Sequence, residues 1–179
     1  MITYEYNRRR AADYALKWAY RRNPLFTDFT GIGGNCTNFV SQCIFAGSCA
    51  MNFEMTFGWY YLSVDDRAPA WTGVQFLYNF LTSNEGVGPF GREVAALDTK
   101  VGDVIQLANE DGTFYHSVIV VGSLDGDPLV SAQSNDAFAR PLSTYTYASS
   151  RGIAIDGVRA EKICNCFEKF YNGEDIVIC

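Results

Sequence analysis

Two residues of this chain could together run nucleophilic chemistry: Cys36, in the first turn of a helix that begins at Asn35 or Cys36, and His116, the single histidine. A thiol working near neutral pH needs a base to take its proton, and imidazole suits that task. At the first turn of a helix, unpaired backbone N–H groups and the positive end of the helix dipole favour an anion. The same amides can hold the oxyanion that forms when sulfur attacks a carbonyl. Gly31, Gly33 and Gly34, just ahead of Cys36, leave room for a substrate backbone to approach. Each residue also has a purely structural reading. His116 can be a satisfied strand residue, and Cys36 the first member of an apolar helical stripe. Cys43 and Cys49 lie deeper in that helix or beyond it, without the same setting.

The elements that must position this pair can be read from hydrophobic periodicity. Ala12, Ala15, Leu16 and Ala19 recur at helical spacing between Tyr6 and Arg22, and Asn23-Pro24 supplies a stop. In the next helix Cys36, Phe39, Val40, Cys43 and Ile44 form one stripe, while Thr37, Asn38, Ser41 and Gln42 occupy the other face as far as Gly47. An aromatic, irregular connection over 48–70 leads to a third helix near Trp71-Thr72 that turns Val74, Leu77, Tyr78 and Leu81 inward. Beyond Gly86, short β-branched runs separated by turn signals predict an antiparallel sheet. Its strands are Asp103 to Leu107, Tyr115 to Gly122, Leu129 to Gln133, and one between Gly152 and Ile163. Helices first and sheet second predict an α+β fold with the cysteine helix packed on the sheet.

A two-residue Asp125-Gly126 turn would pair Leu124 with Asp127, Val120 with Ser131 and Val118 with Gln133. Gln133 would then share a sheet face with His116, within side-chain reach, and could orient the imidazole. The alternative is that Gln133 merely ends a strand.

The whole-chain properties narrow the class. A length of 179 residues fits a single domain, with a short unassigned tail at about 160–179. With 20 acidic against 14 basic side chains, the chain lacks the positive footprint that a nucleic-acid partner requires. No apolar run is long enough for a membrane span. Six cysteines at 36, 43, 49, 164, 166 and 179 are too sparse to suggest a disulfide scaffold. Cys164, Cys166 and Cys179 read as structural thiols, because the spacing of a zinc site and a neighbouring histidine are both missing. The expected working place is either the cytoplasm or, with a leader removed, outside it.

The run Gly33-Gly34-Asn35-Cys36-Thr37-Asn38-Phe39-Val40-Ser41-Gln42 resembles the bacterial amidase-domain family, as do Trp71-Thr72-Gly73, Gly102-Asp103-Val104-Ile105-Gln106 and Tyr115-His116-Ser117-Val118-Ile119-Val120 in the same order. That family is related to the NlpC-type and CHAP-type cell-wall hydrolases of the papain-like superfamily. The resemblance spans residues 4 to about 145. It implies a papain-like core with Cys36 as nucleophile and His116 as base. Gln133 stands at the third catalytic position, where the family often has histidine. Asn35 stands where an aspartate commonly precedes the cysteine and, in related wall peptidases, helps hold a substrate amine. Asn35 and Trp71 are the positions offered for substrate binding. No cofactor or metal is implied.

The function expected from these readings is cysteine-dependent hydrolysis of an amide bond, with a bacterial cell-wall peptide as the substrate the resemblance suggests. The alternatives are a cysteine peptidase or acyltransferase on another amide, a non-catalytic binding module on the same fold, and a structural interaction protein.

Overall fold

The computed structural model describes residues 1–178. The chain runs β1 (Ile2–Tyr4), α1 (Arg8–Trp18), α2 (Cys36–Ser48), α3 (Pro69–Thr72), α4 (Val74–Ser83), β2 (Gly88–Val94), β3 (Val104–Ala108), β4 (Phe114–Leu124), β5 (Asp127–Ala132), β6 (Ala137–Pro141), β7 (Ser149–Ala160) and α5 (Phe167–Tyr171). All strand pairs are antiparallel, in the order β1-β7-β3-β4-β5-β6, with β2 also on β7. The fold is therefore α+β, with helices gathered against an antiparallel sheet.

Helix α2 begins at Cys36, one of the two starts expected, with Asn35 as its N-terminal cap, and stops where Cys49 turns left-handed at φ 48° and returns its N–H to Phe45 O. The helix is buried along its whole length, polar face included. Each buried polar group has a partner, as burial without large cost requires. Thr37 Oγ1 meets Ser117 Oγ on β4 at 3.0 Å, and Ser41 Oγ bridges Trp71 O and Trp59 Nε1. Asn38 Oδ1 accepts from Trp71 Nε1 at 3.0 Å, and Gln42 Oε1 accepts from Tyr14 Oη at 2.8 Å. The helix is thus fixed in rotation and height by hydrogen bonds as well as by packing.

The sheet buries both faces. Val104, Ile119, Ile153 and Ile155 join the core beneath the helices, while Ile105, Leu107, Val118, Val120, Val130 and Ala132 form a second cluster on the other side. Arg8 at the start of α1 reaches the buried Asp103 carboxylate at 2.6 Å, which also accepts from Lys100 N and Ile155 N. This ion pair ties α1 to β3 and β7.

Several expectations are corrected. The hairpin does pair Leu124 with Asp127, but the register shifts between Val120 and Gly122, so Val120 faces Val130 and Ile119 faces Ser131. One extra residue on β4 makes this bulge, and a one-residue slip moves every later side chain to the other face. Strands β1, β2 and β6 were not expected. In β2, glycine and proline disguise the strand, yet Gly91 is required there: a Cβ would lie 2.0 Å from Ala154 O. The third helix is split by Gly73 into α3 and α4.

The cysteines are also corrected. Cys49 and Cys166 form a disulfide across 117 positions, pinning the tail to the end of α2, and Cys164 is disulfide-bonded too. Spacing concealed this, because the partners lie 117 positions apart. Cys179 lies outside the described residues. The pinned tail places Phe170 in the core, stacked on Tyr14 at 4.7 Å and edge-on to Phe45 at 4.9 Å. Among the described residues, no helix is long and apolar enough to cross a membrane.

Candidate active site

Cys36 and His116 line one cleft of about 410 Å³, together with Gly33, Gly34, Ser134, Asn135, Tyr115, Arg140, Tyr145 and Thr146. The glycine loop brings the chain to α2 with Gly31, Gly33 and Gly34 at φ between 80° and 100°, a region glycine occupies without strain. No side chain caps the first turn of α2, because the side chain of Asn35, the residue at its N-terminal cap, is drawn elsewhere. The first-turn amides therefore have no competing side-chain acceptor.

His116 reaches the cleft from β4, on the sheet face it shares with Val118 and Val120, with the Tyr145 ring 6.2 Å away. Its pKa is lowered from 6.5 to about 4, chiefly by burial and further by the Arg140 charge. At neutral pH the ring is uncharged, the form that can accept a proton. Among the described residues the Cys36 sulfur lies 3.8 Å from Thr37 Oγ1, and no hydrogen bond joins it to His116.

The histidine shift carries a stability consequence. Between pH 6.5 and about 4 the unfolded chain takes up a proton that the folded chain refuses. The contribution is whole above pH 6.5 and is lost as pH falls through about 4. Thermal unfolding followed across this window should show wild type losing more stability than His116→Gln. Parallel curves would contradict it.

Gln133 does not meet His116. Its side-chain oxygen accepts from Asn35 Nδ2, and its nitrogen donates to Trp18 O at 2.8 Å and Arg21 O at 2.7 Å. The cause is the bulge in β4, which removes the register that would have put the two side chains on one face. Its polar neighbours Ser131 and Asp136 are engaged elsewhere too: the Ser131 hydroxyl accepts from Ala139 N, and the Asp136 carboxylate pairs with Arg22.

Asn35 is 1% exposed and is likewise committed inward, its oxygen accepting from Phe29 N and Asn38 Nδ2. Its backbone N–H donates to Ser134 Oγ. Asn35 and Gln133 therefore form a buried amide pair that holds the entrance of α2 against α1 and the β5–β6 turn. Trp71, at 0% exposure, packs against Trp59 at 4.7 Å and Phe26 at 5.9 Å, out of reach of substrate. Neither Asn35 nor Trp71 presents a side chain to the cleft.

Gln133→Ala leaves Asn35 Nδ2 and two carbonyls without their partner. Asn35 Nδ2 and Trp18 O are buried while Arg21 O is only partly so; each buried group so stranded costs about 1–3 kcal/mol, so about 2–6 kcal/mol of stability should be lost in chemical denaturation. A loss below about 0.5 kcal/mol, the range of an ordinary surface change, would remove the clamp.

Sequence reasoning missed Arg140, which enters the cleft from β6. One signal was present: it is the sole lysine or arginine between Lys100 and Arg151.

The family described as "Putative amidase domain" matches residues 5–155, a stretch that holds Cys36, His116, Gln133 and Arg140 and leaves out the disulfide-pinned tail. The chain is 34% identical over 141 residues to the uncharacterised protein YhbB of Bacillus subtilis (strain 168), covering 76% of this chain and 44% of that one. It thus spans less than half the length of that relative. No solved structure matches it significantly. With 151 residues matched from the first helix to the last strand, the chain belongs to this amidase-domain family.

Proposed function

We propose that this domain is a cysteine-dependent amidohydrolase with a papain-like arrangement of Cys36 as nucleophile and His116 as base. The observation that carries the reading is that both residues line one cleft, with the sulfur at the uncapped N-terminus of a buried helix. In the reacting complex the neutral imidazole takes the thiol proton, which requires the two groups to come into hydrogen-bonding contact. The sulfur then adds to the amide carbonyl, and the oxyanion faces the first-turn N–H groups of α2. His116 returns the proton to the leaving amine, and water assisted by the same ring hydrolyses the thioester. Gln133 and Asn35 serve as positioning residues for the cysteine turn.

The substrate proposed is a peptide amide of the bacterial cell wall. Family membership supports the amide. The Cys49–Cys166 disulfide supports an oxidising compartment outside the cytoplasm, where such peptides lie. Incubation with purified wall peptides, followed by mass spectrometry, should show a new amine and carboxylate from one amide bond. Cleavage of unrelated peptide amides with wall peptides left whole would overturn the substrate, and cleavage of neither would overturn the hydrolase.

A further inference from the structure

The cleft beside Cys36 carries a charge opposite to that of the protein. The chain has a formal net charge of −6, yet among the described residues no aspartate or glutamate lines the cleft, and the one permanent charge there is the Arg140 guanidinium. Arg8, Arg9, Arg22 and Arg92 each pair with an aspartate, while Arg140, like the remaining arginines, has no carboxylate partner among the described residues, and of these it is the one that lines the cleft. Its fork is nevertheless held in place. Nε donates to Thr144 Oγ1 at 2.8 Å, Nη2 donates to Thr144 O at 2.7 Å, and the plane lies 3.8 Å from the Tyr145 ring centroid. The Tyr145 hydroxyl lies beside the fork as a further partner, and the donors left over from these contacts are available to a ligand.

The backbone is shaped to place this residue. The pairing of β5 with β6 shifts between Val130 and Ala132, and on β6 the residue before Arg140, Ala139, sits at φ 46°. A non-glycine residue there is strained, and the surroundings must hold it. The buried Ser131 hydroxyl does so by accepting from Ala139 N at 3.1 Å. A bulge of this kind re-aims the side chain that follows it.

We propose that Arg140 determines specificity in this cleft by binding a carboxylate of the amide substrate close to the scissile bond, so that the substrates are anionic peptides. The inference rests on the nucleophile reading of Cys36 above. Guanidinium and carboxylate match as planar, charge-assisted partners, and the helix N-terminus beside them adds to the attraction for an anion. A carboxylate docked there also offsets the positive field that adds to burial in holding His116 neutral. Docking thereby favours the imidazolium that forms as the thiol ionises. The carboxylate can belong to an acidic side chain or to a peptide C-terminus.

Two alkylating reagents of nearly equal size test the site. Iodoacetate carries a carboxylate and iodoacetamide does not, and in each reaction the sulfur displaces iodide. The ratio of their rate constants at Cys36, followed by mass spectrometry, cancels any general change in thiol reactivity. We expect this ratio to exceed that of glutathione by about tenfold or more at low salt and to collapse towards it in 0.5 M NaCl, where the Debye length is a few ångström. Arg140→Gln should lower the ratio by about tenfold and Arg140→Lys should retain most of it. The salt arm decides the matter even if Arg140→Gln does not fold. Protection of Cys36 from iodoacetamide by acetyl-Ala-Ala or acetyl-Glu-Ala-amide, compared with neutral acetyl-Ala-Ala-amide, separates the two sources of carboxylate. A glutathione-like ratio insensitive to salt, or equal protection by all three peptides, overturns the carboxylate site and leaves the nucleophile standing. No alkylation of Cys36 by either reagent overturns the nucleophile reading and this inference with it.

Discussion

Cys36→Ala should abolish amide hydrolysis, lowering turnover by about a thousandfold or more, while thermal stability stays within about 1 kcal/mol of wild type. The expectation follows from where the sulfur lies. Cys36 borders the cleft, and its nearest polar partner is a hydroxyl 3.8 Å away, so removing it breaks no strong contact. The other free thiol is the control. Cys43 is fully buried within the same helical stripe, and its thiol pKa is pushed well up by that burial. A hydroxyl in its place is buried without a partner, so Cys43→Ser should cost about 1–3 kcal/mol and spare the chemistry. Equal losses of turnover at the two positions, measured on folded protein, would show that neither is the nucleophile.

Removing the Cys49–Cys166 disulfide should have the largest effect on stability. Its closed loop is 117 positions long, and a loop of about 100 residues corresponds to about 4–5 kcal/mol of unfolded-chain entropy, with measured values mostly about 2–5 kcal/mol. The double variant Cys49→Ala/Cys166→Ala is the appropriate test, because reductant would also break the bond that Cys164 makes. We expect about 2–5 kcal/mol less stability in denaturant titration, with the tail exchanging amide hydrogens faster than the sheet. Phe170 is wedged among Tyr14, Phe26 and Phe45, so release of the tail also exposes the helical core. A double variant as stable as wild type would show that aromatic packing alone holds the tail.

The parts of this structure that were legible in the sequence are those set by local pattern. The start of α2 at Cys36, the strand carrying His116 and the Asp125-Gly126 turn each follow from apolar spacing or turn chemistry within about ten residues. What the sequence concealed depends on distant partners or on single inserted residues. The bulge beside Val121 leaves the turn intact and moves Gln133 off the face of His116, a change no periodicity reveals. Gln133 looks like a catalytic orienter until Asn35, 98 positions away, is seen to occupy its oxygen. Trp71 is indistinguishable in sequence from a substrate-stacking tryptophan, yet its indole N–H is used by Asn38 and its rings by the core. The burial of the polar face of α2 is hidden for the same reason, since its partners lie on other elements.

The proposed reaction passes through a covalent acyl intermediate on Cys36, formed with help from His116. Its most direct test is acid-quenched mass spectrometry of the intact protein and its digest during turnover of wall peptides. A mass increase equal to the acyl half of the cleaved amide is expected on the peptide containing Cys36, and hydroxylamine should release it. The adduct should be missing in Cys36→Ala and form far more slowly in His116→Ala. Continued amide cleavage by Cys36→Ala, or an adduct on any other residue, would contradict it.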